Sequence, residues 1–73
     1  MIPSLYLATN GRVSMMTFNW DDASDFAHKY DNTAVTSVST WDEMKFAMGF
    51  LTPEQNEILL MERTVYYTPS TQG

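Results

Sequence analysis

Side chains able to hold a proton, a metal or a covalent bond are few in this 73-residue chain: one histidine, nine Asp and Glu, and no cysteine. His28 follows Asp25 by three residues, so on a helix the two share a face and could offer two ligands to a metal. A metal site wants three or four ligands, and neither a second histidine nor a thiolate is there to complete it. The expectation is therefore no metal and no cofactor, with His28 on a solvated helix face. The carboxylates are more suggestive, because Asp21, Asp22 and Asp25 crowd one stretch while Asp42 and Glu43 crowd a second. Paired carboxylates can act as acid and base on a glycosidic bond, but that chemistry needs a flanking cleft that so short a chain hardly provides. Acids in the first turn of a helix are also what the helix dipole favours. Asp21, Asp22, Asp25 and Asp42 are read here as helix-start acids that double as a contact patch.

Other catalytic patterns are absent. No Gly-x-Ser-x-Gly elbow holds a serine at a strained turn, and Gly11, Gly49 and Gly73 stand alone rather than in a phosphate-binding loop. Nothing in the sequence supports an enzyme.

The elements that position these residues follow from pattern and capping. Asn10-Gly11, between apolar runs, predicts a hairpin with a two-residue type I′ turn. In that register Ala8 lies near Val13, Tyr6 near Met15 and Leu5 near Met16. One face then carries Leu5, Leu7, Met16 and Phe18, and the other carries Tyr6, Ala8, Val13 and Met15. Asn19 precedes Asp21-Asp22 as an N-cap, and Ala23, Phe26, Ala27 and Tyr30 fall on one helical stripe. Residues 33–39, rich in Thr and Val, predict a strand. Thr40 and Glu43 predict a capping box, with Trp41, Met44 and Met48 running on to a stop at Gly49. Thr52-Pro53-Glu54-Gln55 starts a third short helix, to about Met61, and residues 64–68 read as a last strand. Trp20 and Trp41, each at a strand-to-helix junction, are expected to anchor the core.

The order ββαβααβ predicts an α+β fold: a small, mostly antiparallel sheet with two to three short helices on one face. Residues 1–68 are expected to form one domain, with a flexible tail at 69–73. A domain this small buries only about 60% of its unfolded surface. Lacking disulfides, it must rely on dense apolar packing or on self-association, and 44% hydrophobic residues with six methionines suit either. The first residues lack the basic n-region of a signal peptide, and no run is long enough for a membrane span. Cytoplasm is the compartment expected.

Four Lys and Arg against nine acids leave a net charge of −5, and the cations Arg12, Lys29, Lys45 and Arg63 are scattered. Direct nucleic-acid binding is not expected of such a surface, nor is a membrane partner. The hairpin–helix–strand opening resembles, in size and build alone, small phage-encoded regulators. The leading expectation is a small acidic, non-catalytic protein–protein interaction module, of the kind a phage or mobile element uses to inhibit a host nucleic-acid-processing enzyme. Its contact residues would be Asp21, Asp22, Asp25 and Asp42, with Tyr6, Val13 and Met15 from the second hairpin face. The alternative is a self-associating structural protein, a homodimer joined through that apolar hairpin face. A third outcome keeps that face internal, covered by the third helix or the C-terminal segment.

Overall fold

A computed structural model describes residues 4–68, with the elements β1 (Leu5–Thr9), β2 (Ser14–Thr17), α1 (Trp20–Lys29), β3 (Ala34–Val38), α2 (Trp41–Met48), α3 (Pro53–Glu62) and β4 (Thr64–Tyr67). The order along the chain is ββαβααβ, and the four strands form one antiparallel sheet in the order β3-β1-β2-β4. The tail expected at 69–73 lies outside the described residues. No helix among those described is long and apolar enough to cross a membrane.

The first hairpin forms with a wider loop than Asn-Gly implies. Tyr6 pairs with Thr17, Leu7 with Met16, Ala8 with Met15 and Thr9 with Ser14. Four residues, Asn10 to Val13, therefore make the loop, closed by the Asn10 amide on the Val13 carbonyl at 3.2 Å. Side chains direct this choice. Asn10 Oδ1 accepts from the amides of Arg12 and Val13, both at 2.9 Å, and Thr9 Oγ1 accepts from the Gly11 amide at 3.1 Å. Within the loop only Gly11, at φ +92°, takes the left-handed region, whereas a type I′ turn would need it at Asn10 as well. The register is displaced by two residues. An even displacement leaves every side chain on the face expected for it.

Because β2 and β3 both run antiparallel to β1, they run parallel to each other, and a crossover must join them. Helix α1 is that crossover. It lies on the face of Ala8 and Met15, burying Ala23 and Phe26 there, with Val13, Tyr30 and Val35 at the margin. Helices α2 and α3 then carry the chain from one edge of the sheet to the other across the opposite face. Met44, Ala47, Leu51 and Leu59 pack there against Leu5, Met16, Val38 and Val65. Two helices thus share one face, and α1 occupies the other. Strand β2 is consequently buried along its whole length, and its adjacent residues Met15 and Met16 fill different layers. Each such side chain contributes about 1.5–3 kcal/mol of burial.

Capping fixes where the helices begin. At α3, Thr52 Oγ1 accepts from the Gln55 amide and Gln55 Oε1 accepts from the Thr52 amide, the full reciprocal box. At α2 the Thr40 hydroxyl accepts from the Glu43 amide and donates to the Glu43 carboxylate, rather than Glu43 reaching back to the Thr40 amide. Asn19 precedes α1 in extended conformation but makes no side-chain cap to the backbone.

Candidate functional site

Strand pairing brings the two groups of acids to one end of the sheet. Val38 at the end of β3 pairs with Leu5, and Thr17 at the end of β2 pairs with Tyr6, so both strands finish where β1 begins. Helices α1 and α2 start immediately beyond, on opposite faces. Asp21, Asp42 and Glu43 are exposed there; Asp25 is exposed further along α1. Side chains at the first helical turn lean toward the helix N-terminus, here off the end of the sheet.

Asp22 behaves differently from its neighbours. It is half-buried, and its Oδ2 accepts a 2.7 Å hydrogen bond from the Thr64 hydroxyl at the start of β4. Having spent its one proton there, the Thr64 hydroxyl must accept from Thr17, 2.7 Å away, and the buried Thr17 hydroxyl in turn accepts from the Asn19 amide at 2.9 Å. Asp22 thereby ties the start of α1 to the last strand, a structural duty in place of a free contact.

Trp20 and Trp41 do not anchor the core: they are 55% and 61% exposed. Each occupies the first helical position, so its ring leans past the strands that could have covered it. Trp20 retains an edge-to-face contact with Tyr6, at 5.3 Å between centroids. Together Tyr6, Phe18, Asn19, Trp20, Asp21 and Asp22 line a shallow, mostly polar hollow of about 450 Å³.

On the other face, α2 stands off the sheet along one side and leaves an apolar groove of about 380 Å³. Its lining includes the buried Met16, Val38 and Ala47 together with Leu7 and Tyr67. The exposed Phe46 and Phe50 form its rim, 5.2 Å apart and edge to face, with Asp42 and Glu43 beside them. Burial pushes the Tyr67 phenol above its ordinary range, and a hydrogen bond with Ser14 partly opposes this. A separate apolar exposure lies on α3, at Ile58, Leu60 and Met61.

The contact residues expected from the sequence are therefore divided. Tyr6, Asp21 and Asp22 meet around the polar hollow, Asp42 borders the apolar groove, and Asp25 joins neither. The second hairpin face is not a surface. Met15 is fully buried and Val13 half-buried, because α1 lays Phe26 and Tyr30 over them. Contact through Met15 is corrected by this cover, which α1 supplies in place of the third helix or the C-terminal segment. Sequence reasoning missed Phe46 and Phe50 altogether. Their signal was present, since two aromatics at i and i+4 lie off the Met44–Met48 stripe that the core uses.

His28 Nδ1 donates to the Ser24 carbonyl at 2.8 Å, a bond within its own helix. Among the described residues no three His, Cys, Asp or Glu are placed to hold a metal ion. No family model matches the chain, and comparison with curated proteins and with solved structures finds no match either.

Proposed function

We propose that this chain is a non-catalytic protein-binding module that presents aromatic and acidic side chains together to a basic partner. The observation that supports it is the exposure of Trp20, Trp41, Phe46 and Phe50, with Asp21, Asp42 and Glu43 interleaved among them. Exposed apolar surface gathered in one region marks an interaction site, and Trp is enriched among residues that carry binding energy. The acids add long-range attraction to a basic surface and select against acidic ones. A groove built for DNA or RNA in a host nucleic-acid-processing enzyme has the required charge, so inhibition by occupying it is the activity this reading assigns, as a phage or mobile element would use it in its host's cytoplasm.

The test is affinity capture from a bacterial lysate with the parent and with a Trp20→Ser/Trp41→Ser/Phe46→Ser variant, read by mass spectrometry. The reading expects a protein held by the parent, lost with the variant, and released by added salt or by competing DNA. Identical protein sets on both baits would end it.

A further inference from the structure

We propose that the groove between α2 and the sheet is the seat of the partner, and that its occupant is an amphipathic segment setting apolar side chains beside Lys or Arg. This rests on the protein-binding reading above and assigns it a place and a chemistry. The volume of about 380 Å³ lies within the roughly 300–1,000 Å³ usual for sites that enclose a ligand. Met16 and Val38 form an apolar floor, which asks for apolar side chains. The rim asks for something else. Asp42 and Glu43 are exposed carboxylates, and Phe46 and Phe50 offer ring faces, so a guanidinium or ammonium there meets both an opposite charge and a π-system.

Charge decides between occupants. A second copy would bring its own net charge of −5 and only four scattered cations against these acids. A nucleic acid or an anionic lipid surface would set phosphates against the same carboxylates. A basic segment of another protein is the occupant whose charge matches, laid in as an apolar-faced helix.

The probe is a fluorescein-labelled Leu/Lys peptide patterned as an amphipathic helix, with a Leu/Glu peptide of identical pattern as its counterpart, read by fluorescence anisotropy. The parent should bind the Leu/Lys peptide, less tightly as salt rises, and should bind the Leu/Glu peptide at least about tenfold more weakly. Phe46→Glu and Asp42→Lys should each weaken the Leu/Lys peptide at least about tenfold. Met61→Glu, on the α3 surface and 81% exposed, should change nothing. Circular dichroism checks that each variant folds, with Phe46→Ser as the milder substitute. Equal binding of the two peptides, or equal binding by parent and Phe46→Glu, overturns the proposal. A parent dimer in sedimentation that Phe46→Glu dissolves also overturns it, giving the groove to a second copy. Photo-crosslinking in lysate separates this failure from that of the function itself. A benzophenone side chain at position 50 should label the captured protein. Labelling at position 61 alone sinks the groove but keeps a protein-binding module, whereas labelling at neither removes that reading too.

Discussion

Replacing Asp22 with alanine removes the acceptor at the end of the Asn19–Thr17–Thr64 chain and leaves the Thr64 hydroxyl to redirect its proton. A hydrogen bond to a charged group is worth about 1.5–3 kcal/mol. Asp22 is half-buried, so water competes for it and the lower end applies. Loss of an acid from the first turn of α1 adds about 0.3–1 kcal/mol through the helix dipole. The sum is near 2 kcal/mol, which for a domain of this size lowers Tm by about 8–16 °C. Asp21→Ala has the dipole contribution alone and should cost no more than about 1 kcal/mol. Urea and thermal denaturation of the two variants, followed by circular dichroism, measure the difference. A double-mutant cycle with Thr64→Val should return a coupling of about 1 kcal/mol between positions 22 and 64. Equal losses for Asp22→Ala and Asp21→Ala, or no coupling to Thr64, would refute the assignment of Asp22 as a tie between α1 and β4.

Other outcomes follow from the same geometry. Gly11→Val should cost more than about 1 kcal/mol in denaturant melts; nothing lies within 4 Å of an added Cβ, so the loss reports the φ of +92° alone. Phe26→Ala, which opens the α1 layer, should cost about 3–5 kcal/mol, whereas Trp41→Ala should stay near 1 kcal/mol or less; chemical denaturation of the pair tests whether Trp41 lies outside the core. For Tyr67 the folded phenol titrates above its ordinary value of 10.0, so the unfolded chain releases that proton first. The stability involved is fully present below that value and is lost as pH rises through the folded pKa. Tyr67→Phe should flatten the alkaline part of a Tm-against-pH curve, and an unchanged slope would count against burial as the cause.

The element order was readable from the chain because each signal behind it is local: caps at Thr40 and Thr52, the Ala23–Phe26–Tyr30 stripe, and apolar runs around Asn10-Gly11. What local signals omit is where an element goes once formed. The stripe of α1 shows that the helix buries one side, but not which face of the sheet receives it. That depends on β3 pairing with β1 rather than β2, a choice made between distant residues. The fate of Met15 turns on this point. The hairpin register failed for a local reason, since the Thr9 and Asn10 side chains compete for turn amides that a two-residue loop would leave free. At the site, the acids were readable as helix starts, but their gathering at one end needed the strand pairing. The exposed Trp20 and Trp41 were misread because bulk and position alone suggested a core, while a first helical residue points beyond it.

The two neighbours of β2 lie at very different distances along the chain. β1 is one turn away, but the partner of Thr17 on the far side is Thr64, 47 residues on. The hairpin joins residues a few positions apart, whereas β4 pairs with β2 across a segment that contains α1, β3, α2 and α3. Closing so long a segment is slow rather than costly, since each doubling of loop length adds only about 0.6 kcal/mol. Until β4 pairs, β2 presents one unfilled edge. An unpaired strand edge is a template for a second chain, so the long separation of β2 and β4 makes this edge the place where two copies would entangle while folding.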